Sequence, residues 1–202
     1  VLDENLEIVG ELKGLAEDER IYSTRFVGER LYMVTFRQVD PFFVIDLSDP
    51  QNPEDLGELK ITGFSRYLHP YDENHIIGLG QEATDRGRTT GLKISLFNVE
   101  DVSSPVEVAK FVTDERYAHS AAEYEHKAFL FDRSKNLLVI PAYSYEWDEG
   151  GRDGYNGAFV FDIDTEEIEL RGLIDHSAGD TSRYWGPTVE RSLFIEDMLY
   201  TK

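Results

Sequence analysis

The sequence has no cysteine, which excludes disulfides, thiolate metal sites and a cysteine nucleophile. Basic residues are scarce. Lys+Arg is 20 against 40 for Asp+Glu, a formal charge of -20. A charge of that sign repels phosphate backbones and anionic lipid, and no cluster of Lys or Arg makes a local exception. Nucleic acid and membrane-surface partners are therefore not expected. No apolar run approaches the length of a membrane span, and none reads as a signal peptide. There is no HExxH, no tight His-x-His pair, no GxSxG and no glycine-rich phosphate loop. The five histidines, His69, His75, His119, His126 and His176, spell no zinc motif. Composition by itself names no reaction.

What is present is a chain of 202 residues and 23.2 kDa, enough for one ordinary domain with its own core. Hydrophobic residues make up 41% and charged residues 30%, a globular balance. Of the basic residues 7 are Lys and 13 Arg. An acidic, lysine-poor surface suits high salt, and it also simply keeps a protein soluble. The chain opens on Val1 rather than Met, as a processed product or a piece of a longer polypeptide would.

Short segments recur in a fixed order, and a repeat of this kind decides the fold. One type ends in an acid or amide: Phe43-Val44-Ile45-Asp46, Leu96-Phe97-Asn98, and Val160-Phe161-Asp162. A second type follows each, starting at Leu56, Val108 and Leu170, and a fourth copy starts at Val9. Two further strands open each unit, joined by turn residues such as Gly28-Glu29, Asp72-Glu73-Asn74 and Glu196-Asp197. The strands are rich in Val, Ile, Phe and Tyr, and helical periodicity is weak. Four short strands per unit of roughly 40–50 residues describe the blade of a β-propeller. With strands lettered A to D outward from the axis, the chain reads D, ABCD, ABCD, ABCD, AB. The expected architecture is all-β: antiparallel four-stranded blades at 21–60, 64–112 and 126–174, with a fourth split between 190–202 and 1–13. Three closures stand open: a four-bladed ring within one chain, a larger ring shared by two chains, or a partial ring whose other blades lie elsewhere.

The stretch Val34 to Pro50, the segment Leu68-His69-Pro70-Tyr71-Asp72-Glu73-Asn74-His75 and the segment His126 to Phe131 resemble the prokaryotic "beta propeller domain" family. That family is distantly related to WD-repeat propellers. The likeness runs over nearly the whole chain and matches the C-terminal part of the family domain. It implies a propeller and an extracellular or cell-surface location. It implies no catalytic residues, and fold does not give function.

His69 and His126 are expected on innermost strands lining the central channel, as ligands, as a general base, or as fillers of the wall. The segments 81–90 and 146–157 both connect B to C strands, so both project from one face, where recognition usually sits. Asp148, Glu149, Asp153 and Asn156 in the longer one supply the hard oxygens that calcium takes, although their spacing is not that of an EF-hand. A solvated loop explains the same residues. Tyr145, Trp147, Tyr184 and Trp185 flank that mouth and suit contacts with carbohydrate or peptide; most other aromatics read as packing between blades. Asp46, Asn98 and Asp162 recur at one position, which predicts a hydrogen bond to a turn or neighbouring strand.

The reading is a non-enzymatic binding or structural propeller, recognising a protein or carbohydrate through the face bearing 81–90 and 146–157. Self-association that completes a ring is a second expectation. A hydrolase of glycans or peptides, with a mouth carboxylate and His69 or His126 as acid/base, is the alternative.

Overall fold

The computed structural model describes residues 1–36, 40–144, 146–148, 151–177 and 188–202, with backbone alone for Asp40, 146–148 and 151–153. Its strands fall into successive antiparallel sheets. The first comprises β1 (Arg20–Val27), β2 (Arg30–Phe36), β3 (Asp40–Asp46) and β4 (Glu54–Ile61), in that order. The second comprises β5 (Phe64–Pro70), β6 (His75–Ala83), β7 (Thr89–Asn98) and β8 (Val106–Val112). The third is built from β9 (Leu130–Asp132), β10 (Leu137–Tyr143), β13 (Asn156–Ile163) and β14 (Ile168–Asp175). A hairpin of β11 (Glu146–Asp148) and β12 (Gly151–Asp153) stands between β10 and β13. A last hairpin pairs β15 (Ser192–Ile195) with β16 (Met198–Thr201). Three complete propeller blades and a half blade follow one another along the chain.

The turn chemistry explains the short links. Gly28 has φ +58 between β1 and β2, and Asn136 has φ +50 between β9 and β10, conformations that Gly and Asn adopt at little cost. The third and fourth strands of every full blade share one irregularity. The register slips between Val44 and Ile45, between Leu96 and Phe97, and between Val160 and Phe161. A bulge there bends and twists the outer strand away from the blade plane. The recurring acid sits beside it. Asp46 Oδ1 accepts from Ser48 N at 2.9 Å, and Asn98 Oδ1 from Glu100 N at 2.9 Å. Asp162 instead pairs with Arg171 on the neighbouring β14.

The blades stack through both faces. Tyr32, Val34, Phe42 and Val44 of the first pack on Phe64, Leu68, Ile76 and Phe97 of the second. The second's other face, with Ile77, Leu79, Leu92 and Ile94, packs on Leu138, Ile140, Phe159 and Phe161 of the third. Val139 and Ala158 of the third then meet Val189, with Leu199 of β16 packed alongside. At the opposite end Met33, Phe43 and Ile45 are capped by Leu12, Leu15 and Ala16 from the N-terminal segment.

Three expectations shift in detail. The N-terminal strand expected within 1–13 is reduced to one bridge, Leu2 to Ile8, because Leu6 turns to φ +64 and closes a tight loop on the Asp3 carboxylate. Half of the 81–90 connector is strand: β6 runs to Ala83 and β7 begins at Thr89, leaving a turn closed by Thr84 N to Arg88 O at 2.9 Å. The innermost strand of the third blade starts at Leu130, so His126 lies in a 3-10 turn before it.

Candidate functional site

The connectors after β6, after β8 and after β10 emerge at one face of the stack, and a buried carboxylate organises it. The segment between β8 and β9 carries the 3-10 turn Ala121–Glu123. Ser120 caps it: its Oγ accepts from Ala122 N at 3.1 Å, while Glu123 Oε2 accepts from Ser120 N at 3.0 Å. Folding back in this way places the Glu123 side chain fully out of solvent. Gln81, buried at the end of β6, donates from Nε2 to Glu123 Oε1 at 3.1 Å and to Ala118 O at 3.3 Å. Arg66 Nε on β5 lies 3.3 Å from Glu123 Oε1, an ion pair without an aligned hydrogen bond. His119 Nδ1 lies 3.6 Å from Glu123 Oε2. Both carboxylate oxygens are therefore occupied by the protein, and Glu123 positions other groups rather than meeting a ligand itself.

What Glu123 positions is exposed. The Arg66 guanidinium carbon sits 4.9 Å from the Phe64 ring centroid, 5.1 Å from that of Tyr124 and 5.4 Å from that of Tyr22, a cation caged by aromatic rings. Tyr124 is 66% exposed and the His119 side chain 41%. Burial raises the Tyr124 phenol above its ordinary range, with Arg66 opposing. His119 is held by paired backbone bonds with Tyr143, 2.9 and 3.0 Å.

Deeper along the same inner wall lie the two histidines singled out by the sequence, and one tyrosine joins them. Tyr67 Oη is 3.0 Å from His69 Nδ1, and the Tyr67 ring stacks on His126 at 5.1 Å between centroids. His69 in turn stacks on Phe129 at 4.8 Å. Burial, assisted by the charge of Arg25, lowers His69 to about 4, so it is neutral at physiological pH. Burial also raises the Tyr67 phenol, with Arg25 opposing. His126 is exposed. Neither histidine is hydrogen-bonded or ion-paired to a carboxylate among the described residues.

The opposite face carries a different polar group. Asp72 Oδ1 holds His75 Nδ1 at 2.9 Å, Asn98 Nδ2 meets His75 Nε2 at 3.2 Å, and Arg133 Nη2 donates to Asp72 Oδ2 at 3.1 Å. Burial would raise Asp72, but the Asn74 N–H, His75 and Arg133 outweigh it and hold the carboxyl low. This cluster ties a hairpin to the next blade.

Tyr145, Glu149, Tyr184 and Trp185 lie outside the described residues. Trp147, Asp148 and Asp153 belong to the β11–β12 hairpin, and their side chains lie outside the described set as well. Asn156 opens β13, its carbonyl accepting from His176 N at 2.8 Å. Among the described residues no group of three or more His, Asp or Glu is placed to hold a metal ion. Sequence reasoning missed Arg66, His119 and Glu123. The readable signal was Ser120-Ala121-Ala122-Glu123, the S-x-x-E spacing of a capping box.

Stacked antiparallel blades with an inner wall and a loop-bearing mouth define a β-propeller. The chain belongs to the Beta propeller domain family, whose model matches residues 1–202. It is similar to an uncharacterized protein of Methanocaldococcus jannaschii, 40% identical over 201 residues, which is 100% of this chain and 28% of that protein. It is also similar to an uncharacterized protein of Archaeoglobus fulgidus, 44% identical over 155 residues, 77% of this chain and 22% of that protein. The chain thus spans about a quarter of the length of these relatives. Among solved structures, a mutant Synechocystis apocarotenoid oxygenase covers 77% of this chain and 38% of its own at 14% identity, with a TM-score of 0.35.

Proposed function

We propose that this propeller is a binding module whose ligand, a protein or carbohydrate, docks at the mouth formed by Arg66, His119 and Tyr124. One observation carries the reading. Glu123, with both oxygens occupied, locks residues of β5, β6 and the 113–129 connector into a rigid base under two exposed rings. A rigid base with exposed aromatic and cationic contacts binds without a large ordering cost. The β11–β12 hairpin projects from the same face and extends the surface. Screening the chain on glycan and peptide arrays tests it. Hits that vanish in Tyr124→Ala and His119→Ala support the mouth; hits indifferent to both changes refute it.

The hydrolase alternative has its own support in the neutral His69 beside Tyr67 Oη. It requires turnover of a chromogenic glycoside or peptide that His69→Gln abolishes. Self-association belongs to the proposal too. Leu193, Ile195, Met198 and Tyr200 form one exposed apolar face of the β15–β16 hairpin, where a further blade surface would fit. Light scattering reads this as twice the chain mass of 23.2 kDa. An extracytoplasmic setting rests on the family likeness, and cell fractionation of a source organism tests it.

A further inference from the structure

We propose that the inner wall between β1 and β5 holds a second site, for a carboxylate on a flat apolar body, with Arg25 as its cation and Tyr67, His69 and His126 as its walls. The inference rests on the reading that ligands enter this side of the propeller, but it uses none of the mouth residues.

Arg25 is the anomaly that points to it. The chain has twice as many acids as bases, and several of its arginines find them. Arg66 has Glu123, Arg133 has Asp72, and Arg171 has Asp162. Arg25 Nε is buried and has no hydrogen-bond partner, and no carboxylate pairs with Arg25 among the described residues. Arg25 as a whole is half-buried, but a buried N–H without an acceptor is costly, and an anion that accepts from it removes that cost. The position is fixed: Ser23 Oγ donates to Ser65 O at 2.7 Å and clamps β1 against β5 two residues before Arg25. β1 packs along β5, which carries Tyr67 and His69, and the charge of Arg25 acts on both.

The surroundings select the rest of the ligand. Tyr67 and His126 stack at 5.1 Å, His69 and Phe129 at 4.8 Å, and Phe131 meets His69 edge-on at 5.3 Å. This row of flat faces suits an aromatic or planar body, and the fork of a guanidinium suits a carboxylate. A site of this kind attracts a small anion into a protein whose outer surface repels it, so the local field must come from Arg25 itself.

Benzoate is the probe, with benzamide as its uncharged analogue, titrated into the full chain and followed by NMR of the histidine and tyrosine ring signals. Saturable shifts at His69, His126 and Tyr67 with benzoate alone are expected, and Arg25→Gln should weaken binding by about ten-fold or more. Equal binding of benzamide, or an unchanged titration in Arg25→Gln, overturns the inference. Should Arg25→Gln not fold, the wild-type chain still decides: bound carboxylate must raise His69 from about 4, and a His69 titration that does not move refutes the site. Tyr124→Ala separates the two readings. Benzoate binding that survives in Tyr124→Ala, while the mouth ligand is lost, is the expected pattern. Benzoate binding that needs Tyr124 and not Arg25 refutes this site and leaves the mouth standing.

Discussion

Glu123 sits where removal is most damaging, because four groups depend on it. Glu123→Leu would leave the Ser120 N–H, the Gln81 amide and the Arg66 guanidinium facing apolar carbon. Breaking a buried pair by deleting one partner costs about 3–5 kcal/mol, so a large fall in melting temperature is expected by calorimetry. His69 makes a separate prediction through protons. Its folded value is depressed to about 4 from 6.5, so between those values the unfolded chain binds more protons than the folded one. Stability is full above pH 6.5 and falls as pH drops toward 4, by on the order of 1–2 kcal/mol after discounting for partial exposure. His69→Phe should flatten that portion of a pH–melting curve. The place of His69 on an innermost strand was legible in the strand pattern. The capping-box spacing Ser120 to Glu123 was legible too, but the partners that Glu123 finds in Arg66 and Gln81 were not, because pairing so far along the chain leaves no local spacing to read.

Among the elements, hydrophobic alternation and turn residues placed the strands well, since each blade buries both faces and must declare them. They misplaced the ends of connectors. Gln81 and Glu82 look like loop residues, yet Gln81 is buried in β6 because its amide serves Glu123. His126 reads as strand, but the turn that caps on Glu125 takes it first, with Lys127 N donating to the Glu125 carboxylate at 3.2 Å. One glycine fixes how closely two strands approach. A Cβ on Gly80 would run into the Phe64 carbonyl and the Ser65 backbone of the paired strand β5. Gly80→Ala is therefore expected to destabilise by roughly 3 kcal/mol, as overpacking against backbone does, measurable as a lower urea midpoint. Ala at Gly172, where a Cβ meets nothing within 4 Å, is the matched control.

On the scale of the molecule, a linear order emerges: N-terminal segment, first blade, second, third, half blade. The repeat was plain in the sequence; the order of stacking followed from it, since consecutive units of this kind contact their neighbours. The two ends differ in how they are finished. A cavity of about 360 Å³ lies under the N-terminal segment, lined by Leu15, Met33, Ile45 and other apolar residues with Glu19 at its side. The segment above it is bent at Gly14, Ala16 and Asp18, all at positive φ. Such backbone is tolerated by Gly and strained for Ala, and the packing of Leu12, Leu15 and Ala16 on Met33, Phe43 and Ile45 holds it. Filling the cavity from below with Ile45→Phe should be nearly neutral, whereas the same change at Ile77, fully buried between two blades, should cost about 1–3 kcal/mol. Thermal melts of the two variants make the comparison.

The half blade has a kinetic meaning. Only the second blade is clasped by a full blade on each side, while β15 and β16 share one face with the third blade and offer the other to water. In a stack held by neighbour contacts, the isolated chain of 202 residues should open first at the face on which no blade is packed. Amide protons of β15 and β16 should exchange with deuterium first, those of β1 to β4 and of β9, β10, β13 and β14 later, and those of β6 and β7 last. The protein would then come apart as a zipper does, tooth by tooth from the outside, with its last resistance in the strands that carry Gln81 and Lys93.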